Sequence, residues 1–416
     1  MEQPRRRNRK PLQVNSPFNA KKKKGWKIAA IAGGAVLVCG LAVAAVLLGW
    51  IPIPGVTPLV PQKETQPVEA APDTVIHFVA GGDMNVTDSS VAAGKTENGY
   101  DFSKVFLDVM PVLSGSDVTA LNFEGNLCGE PYGGQYASAP PQMLQALKNA
   151  GVDILQTANS KTITGGLLGM QSTLNAVRGA GMIPLGSYES EAEFEESGGY
   201  VIREVQGIRI ALVAFTKGMD GRGLPEGSEN CVNLLYEDYS STYQKVNETR
   251  ITHILRAAAK EKPDVTIALL HWGSEFNDQI SKSQEKITAL MQEEGVDAII
   301  GTHSHYVQKM TFQQETGKFV AYSLGDFFGD GEKSGTNYSV LLDLEITKDG
   351  QTGKTKITDF TYTPIFIARE ETGTRLLRIR EAMTAFENNS LGRVSQESYN
   401  SMKAALTRIE KRIRAE

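Results

Sequence analysis

Cysteine, histidine and aromatic residues are all scarce in this sequence. The 416 residues include three cysteines and five histidines, and 7% are aromatic. A chain of this length has room for a large core and for two or three domains. Cys39 lies within a long apolar run, which leaves Cys128 and Cys231 outside it. Their spacing is compatible with one disulfide and equally with two separate buried thiols.

Basic charge is also scarce outside the N-terminal tail. Residues 1–27 contain ten of the 43 lysines and arginines and one of the 48 acidic residues. From residue 28 onward, 33 basic residues therefore face 47 acidic ones. Nucleic-acid binding requires a basic surface that neutralises phosphates. The acidic body of the chain excludes nucleic acid as the expected partner.

Charge is absent from residues 28–50, and these 23 residues are enough to cross a bilayer. Trp26 and Trp50 flank the run at the positions where indole rings favour the interface. A cleaved signal peptide is the alternative, but its apolar region is shorter, about 7–15 residues. We therefore predict a single-pass signal anchor in the cell membrane. The basic tail, residues 1–27, is expected in the cytoplasm and the C-terminal domain outside the cell.

Beyond the apolar run, the sequence divides into three parts. Residues 51–73 are rich in proline and predict an extended linker. Residues 74–370 alternate between short apolar runs and helical segments closed by glycine, and the last runs have no helices between them. This pattern predicts a mixed α/β domain with two sheets. Residues 371–416 predict a helical extension, whose final amphipathic helix we expect on the surface.

Polar side chains follow several of the predicted strands at the point where each strand ends. In α/β sheets, ligand sites form at the carboxyl ends of strands. Carboxylate and imidazole together suit zinc, manganese or iron. Each residue alone also has a structural explanation, such as a helix cap or a buried histidine, and His77 and His253 are expected to be structural. The strand-end residues are Asp83, Asn122, Glu124, Asn159, His271, His303 and His305.

The pair formed by His303 and His305 is the most specific of these signals. Side chains two positions apart on extended backbone leave on the same side, so both imidazoles are expected to face one metal centre. A carboxylate such as Glu124 could bridge two ions about 4 Å apart. Such a centre would polarise a substrate oxygen and activate a water molecule.

Six ordered motifs give the chain a resemblance to a known family. The sequence from about residue 74 to residue 368 is similar to the CapA, or poly-γ-glutamate capsule biosynthesis, family. That family resembles calcineurin-like metallophosphoesterases, which implies a four-layer α/β/β/α sandwich here, preceded by the one transmembrane helix. It also implies an anionic polymer such as poly-γ-glutamate, the membrane and other capsule synthase subunits as partners. The motifs are GGDMNV, NFEGNL, TANSKTITGG, HWGSEF, GTHSHYVQ and YSLGDFF.

The resemblance also implies roles for individual residues. Two divalent ions, manganese, zinc or iron, are expected to be bound by Asp83, Glu124, Asn159, His271, His303 and His305. Lys161 and His303 are the candidate catalytic residues, and Asn122 and Lys161 the candidate substrate-binding residues.

Three positions depart from the family pattern. Lys161 stands where the family has a histidine, and Thr164 stands where it has an aspartate. Lysine has an ordinary pKa near 10.4, which makes it a poor proton donor at neutral pH but leaves a positive charge for an anionic substrate. Asp326 replaces a common asparagine and adds negative charge.

These departures leave three functions open. The first is an extracytoplasmic, metal-dependent hydrolase of capsule polymer, acting on an amide or phosphoester bond. The second is a non-catalytic scaffold or anchoring subunit of a polymer synthase, in which the pocket binds polymer or a partner. The third is a general surface metallophosphoesterase.

Overall fold

The computed structural model describes residue 54 and residues 71–390 and 394–414. Within these residues, no helix is both long enough and apolar enough to cross a lipid bilayer. The predicted basic tail, residues 1–27, and the predicted anchor, residues 28–50, lie outside the described part of the chain, as does most of the predicted linker.

Strands form the centre of the described domain. They are β1 (Thr74–Asn85), β2 (Lys95–Thr96), β3 (Gly99–Tyr100), β4 (Val118–Glu124), β5 (Ile154–Gln156), β6 (Ile183–Leu185), β7 (Val201–Val205), β8 (Ile208–Thr216), β9 (Val265–His271), β10 (Ala298–Thr302), β11 (Met310–Gln313), β12 (Lys318–Ala321), β13 (Tyr338–Lys348), β14 (Thr355–Glu370) and β15 (Gly373–Arg378).

Helices lie between and after these strands. They are α1 (Asp88–Ala92), α2 (Ser103–Phe106), α3 (Met110–Leu113), α4 (Pro141–Ala150), α5 (Gly166–Gly179), α6 (Glu191–Ser197), α7 (Glu248–Lys260), α8 (Lys282–Glu293), α9 (Ile379–Glu387) and α10 (Gln396–Ile413), with a short 3₁₀ helix at Gly134–Tyr136.

The strands pair into two large sheets. The first has seven strands in the order β15-β14-β13-β1-β4-β5-β6, and the second has six in the order β11-β12-β10-β9-β8-β7. Strands β1, β4, β5 and β6 are parallel, as are β8, β9, β10 and β12. Antiparallel strands β13, β14 and β15 extend the first sheet on one side. The mixed α/β class that the sequence predicts is confirmed.

Apolar side chains of the described residues form four buried clusters, and the three largest pack on these sheets. One core lies between the sheets and includes Phe78 of β1 and Ile267 of β9. A second joins Phe123 of β4 to helices α2 and α4, and a third joins Phe215 of β8 to helices α7 and α8. Each strand of the parallel regions is therefore covered on both faces, which explains why these strands read as continuous apolar runs.

The C-terminal segment differs from the predicted surface extension. Residues 373–378 form β15, which pairs with β14 and lengthens the first sheet. Helices α9 and α10 then pack on this sheet, and Met402 and Ile409 are fully buried in the core between the sheets. The amphipathic pattern of α10 therefore marks a face that is buried against the sheet, and the strand was missed because its pairing partner is set by tertiary contacts.

Cysteine and the isolated histidines have structural positions. Cys128 and Cys231 are both free thiols, so they do not form the disulfide that their spacing left open. His77 lies on β1, with its Nδ1 atom 3.1 Å from the Asp343 carboxylate, and His253 lies on α7.

Candidate metal centre

Four strand ends meet at one place between the two sheets. In the first sheet, β1 and β4 are in register so that Asp83 lies beside Asn122. In the second sheet, β9 and β10 place His271 beside Thr302. Because β1 is parallel to β4 and β9 is parallel to β10, the polar residues that follow the apolar runs converge at their carboxyl ends. The sequence pattern therefore corresponds to a single buried cluster.

Asp83 is held at the centre of this cluster by close backbone packing. Its N–H donates to the carbonyl of Gly325 at 3.0 Å. A Cβ atom on the preceding Gly82 would lie 1.7 Å from that same carbonyl oxygen, so only glycine allows this approach. The Asp83 carboxylate accepts hydrogen bonds from the Asn122 amide at 2.5 Å and from the His303 backbone N–H at 2.9 Å.

The first group of possible metal ligands consists of Asp83, Glu124 and His271. One ligand atom from each residue lies within 4.8 Å of the others, and all three residues are buried. The His271 Nδ1 atom is 3.6 Å from Asp83, and its Nε2 atom is 3.8 Å from Glu124. Burial raises the pKa of Glu124. Burial also favours a higher pKa at Asp83, but the proximity and charge of His271 outweigh this and lower it.

The second group consists of Asp83, His305 and Asp326, and it shares Asp83 with the first. The His305 Nδ1 atom is 2.7 Å from Asp326 and 3.9 Å from Asp83. Burial alone would lower the pKa of His305, but the charge and hydrogen bond of Asp326 outweigh burial and hold it well above its usual range. The ring of Phe276 stacks on the His305 imidazole, with the ring centroids 5.0 Å apart.

The tandem histidines do not have the extended backbone that the sequence predicted. His303 and His305 both have positive φ, 86° and 59°, and their ring centroids are 6.4 Å apart. The two imidazoles therefore occupy different parts of the cluster. His303 lies outside both ligand groups, with its ring 4.5 Å from that of His271. Burial, followed by the charges of His271 and Lys217, lowers the pKa of His303 well below its usual range, so the imidazole is neutral.

The two predicted asparagines hold the cluster together. Asn122 is 2% exposed, and its amide also lies 3.1 Å from the His271 Nδ1 atom. It therefore orients Asp83 and His271, and its predicted role in binding substrate stays a prediction. Asn159 donates to the side chain of Asn122 and to the carbonyl of Phe123, and its oxygen accepts from the Lys161 N–H at 2.9 Å. Its predicted role as a metal ligand would use the remaining lone pair of that oxygen.

The residues present fit divalent metal ions. The two groups supply three carboxylates and two imidazoles, all of them buried, which is a donor set that suits zinc, manganese or iron. The Glu124 Oε2 atom is buried and has no hydrogen-bond partner among the described residues. A buried carboxylate oxygen without a partner is costly unless a cation neutralises it.

Two cavities open beside the cluster. The larger has a volume of about 470 Å³ and is lined by Glu124, Lys161 and His305, among others. The smaller has a volume of about 260 Å³ and is lined by His303 and Lys217, among others. Each cavity therefore combines a residue of the cluster with one lysine, and Glu275 lines both.

Lys161 lines the larger cavity and is paired with an acidic residue. Its Nζ atom donates to Asp220 at 2.7 Å. Burial would lower the pKa of Lys161, but the charges of Glu124 and Asp220 raise it above its usual value. Lys161 therefore stays charged at neutral pH, which suits the binding of an anion and not the donation of a proton.

Family comparison agrees with the motifs at these strand ends. The sequence model of the family described as bacterial capsule synthesis protein PGA_cap matches residues 77–330. The chain belongs to this family. The match spans β1 to the residues just beyond Asp326, so both ligand groups lie within the region that defines the family.

Two relatives in the family are similar over much of the chain. The PGA biosynthesis protein CapA of Bacillus subtilis (strain 168) is 25% identical over 305 residues, which cover 71% of this chain and 74% of that protein. The capsule biosynthesis protein CapA of Bacillus anthracis is 25% identical over 262 residues, which cover 61% of this chain and 60% of that protein.

Solved structures with some similarity include two phosphoesterases. A calcineurin-like phosphoesterase, YfkN from Bacillus subtilis, matches with a TM-score of 0.45 and 17% identity, covering 80% of this chain and 100% of that chain. A phosphatase from Mycoplasma pneumoniae matches with a TM-score of 0.43 and 13% identity, covering 70% of this chain and 94% of that chain.

Some residues of the site were not among the sequence candidates. Asp326 was noted only as a departure from the family, although it too follows an apolar run and a glycine, as Asp83 does. The strand-end rule would have found it. Ser160, Lys217 and Phe276 carried no such signal, because their positions near His271, His303 and His305 depend on how loops from both sheets meet.

Proposed function

We propose that this protein is a membrane-anchored, extracytoplasmic member of the capsule synthesis family with a dinuclear metal site of the hydrolase type. The observation that carries the proposal is the convergence of two buried ligand groups on Asp83. Zinc, manganese or iron in these groups would supply Lewis-acid chemistry, polarising the oxygen of an amide or phosphoester bond.

The surrounding side chains have separate tasks in this proposal. Asp83, Glu124, His271, His305 and Asp326 hold the cations, and Asn122 fixes the orientation of two of them. Lys161 and Lys217, one at each cavity, bind anionic groups of the substrate. His303 lines the smaller cavity with a neutral imidazole, which offers a hydrogen bond to substrate or water.

The proposed substrate is an anionic capsule polymer, and we assign it as poly-γ-glutamate because a relative is named for PGA biosynthesis. Its partners would be the membrane and the other subunits of a polymer synthase. The uncharged run at residues 28–50 and the basic tail before it support an anchor with the folded domain outside the cell. Protease added to intact cells should then degrade the domain, and complete protection would contradict this topology.

Metal removal tests the proposed reaction on the full-length chain. Chain supplied with Mn²⁺, Zn²⁺ or Fe²⁺ should retain about two ions after dialysis. It should cleave poly-γ-glutamate or a chromogenic phosphoester, and a chelator should stop the cleavage until metal is restored. Cleavage of the polymer alone would exclude a general surface phosphoesterase. Wild-type chain that binds no stoichiometric metal would contradict the proposal.

The Lys161–Asp220 ion pair favours a second candidate, a scaffold subunit that binds polymer without cleaving it. In that case Lys161 contributes charge for binding but no proton for a leaving group. Lys161→His should then create hydrolysis that the wild type lacks, whereas the control Lys161→Gln, which also removes the charge, should not. An active wild type that gains nothing from Lys161→His would contradict this reading. Release of polymer fragments, measured by chromatography, decides between the two.

A further inference from the structure

A third cavity lies apart from the metal centre, between helix α10 and the segment that leads into α8. We call it the C-terminal cavity. Its volume is about 720 Å³, and none of its lining residues lines either cavity beside the metal centre. Four of its lining residues are basic and two are acidic: Lys309, Arg408, Lys411 and Arg412, with Asp278 and Glu285.

The charge of this cavity is opposite to that of the domain around it. From residue 28 onward, acidic residues outnumber basic ones by 47 to 33. Four cations facing two anions in one concave surface therefore form a local positive site on an acidic protein. Concave surfaces of one charge sign concentrate ligands of the opposite sign.

Arg412 shows that this site has unused hydrogen-bonding capacity. Its guanidinium carbon lies 4.7 Å from the centre of the Tyr306 ring, and its Nη2 atom is 3.6 Å from the Asp278 carboxylate. Its Nη1 atom is buried and has no hydrogen-bond partner in the described part of the chain. Buried donors are rarely left without a partner. The Arg412 side chain is 21% exposed and lines the cavity, and guanidinium groups pair well with carboxylates.

A row of aromatic contacts connects the C-terminal cavity to the metal centre. The Tyr306 ring, which Arg412 contacts, packs edge-on against Phe276 with the ring centroids 6.3 Å apart. Phe276 in turn stacks on His305 and lines the larger cavity beside the metal centre. The two sites are therefore separated by the side chains of Tyr306 and Phe276, and a long flexible ligand is able to contact both.

We propose that the C-terminal cavity is a second subsite that binds carboxylate groups of a polyanionic chain. The inference rests on the proposed function, because it takes the same polymer as the ligand of the metal centre. A polymer with one carboxylate per repeat presents many equivalent groups, so binding at a second subsite raises the effective concentration of the chain at the first. Lys309, Arg408, Lys411 and Arg412 would hold the carboxylates.

Helix α10 offers a matched pair of variants to test this subsite. Arg408 and Lys411 line the cavity, whereas Lys403 on the same helix and Arg414, the residue directly after it, are exposed and do not line it. Arg408→Gln/Lys411→Gln and Lys403→Gln/Arg414→Gln therefore remove the same charge from the same segment. Thermal unfolding should be unchanged in both, because all four side chains are exposed.

The measurement is the affinity of the full-length chain for fluorescently labelled poly-γ-glutamate, at two salt concentrations. The cavity variant should bind about tenfold more weakly than the wild type, with a smaller dependence on salt. The control variant should stay within about twofold of the wild type. Unlabelled poly-γ-glutamate should displace the labelled polymer at a lower concentration than polyphosphate does.

Several results would overturn the inference. Equal losses in the two variants would show a general effect of charge, and no loss in either would show that the cavity is not used. More effective displacement by polyphosphate would refute the carboxylate assignment. These outcomes leave the metal chemistry intact, since metal content and cleavage are measured separately. A wild type that binds no poly-γ-glutamate would instead remove the polymer from both proposals.

Discussion

Asp83→Asn is expected to abolish binding of both cations and, with it, any hydrolysis. Among the described residues, Asp83 is the one that belongs to both ligand groups. The substitution keeps the size of the side chain and removes its charge, so metal affinity should fall by about 100-fold or more. It also places an amide next to two N–H groups, on the Asn122 side chain and the His303 backbone, that donate hydrogen bonds to the carboxylate in the wild type. Metal content after dialysis, measured by mass spectrometry, checks the result.

Asp343→Asn is the control for this experiment. Asp343 lies on β13, directly beside β1 and paired with Val79, and its side chain is 30% exposed. The substitution removes one carboxylate from the same sheet but leaves both ligand groups intact, so the metal content should not change. An Asp83→Asn protein that still holds two ions would show that the two groups do not form the binding site.

Gly82→Ala is expected to have the largest effect on folding. Its Cβ atom would lie 1.7 Å from the Gly325 backbone oxygen, and no side-chain rotation relieves such a clash. The strand or the opposing loop must shift, which should lower the free energy of unfolding by about 3 kcal/mol. Because Asp83 is the next residue, the shift should also weaken metal binding. Chemical denaturation with and without metal measures both effects.

Gly179→Ala is the matched control for the backbone clash. Gly179 is the last residue of α5, and a Cβ atom there would meet nothing within 4 Å. Alanine is the better helix former by about 1 kcal/mol, so this variant should be as stable as the wild type or slightly more stable. Equal destabilisation by the two substitutions would show that the close approach of Gly82 and Gly325 is not what constrains this position.

Much of the cluster could be predicted because several of its residues follow an apolar run that can be recognised in the sequence alone. An apolar run followed by a polar residue identifies a strand end, and parallel pairing brings such ends together. This reasoning locates Asp83, Glu124 and His271 without knowledge of the topology. The same reasoning would also have located Asp326, because an apolar run and a glycine precede it. The mixed α/β class follows from the same alternation of runs and helices.

The remaining features depend on contacts that sequence patterns do not contain. The positive φ values of His303 and His305 arise where the chain leaves β10 and passes under Asp83, and a period-two pattern cannot indicate them. The pairing of β15 with β14 and the burial of α10 are likewise set by the first sheet as a whole. An amphipathic helix has the same sequence pattern whether it covers a sheet or meets a partner.

The place of β1 in its sheet has a consequence for biosynthesis. This strand is the first of the described domain to be made, yet it lies between β4 and β13, and its residues Thr74 to Ala80 pair with Lys348 to Leu342. During translation, one edge of β1 therefore stays open until nearly the whole domain has emerged. The last residue of the two ligand groups, Asp326, precedes the start of β13 at Tyr338, so the complete cluster also forms only when most of the domain has been synthesised. The N-terminal part of the domain, which contains β1, would therefore depend for the longest time on factors that cover open strand edges.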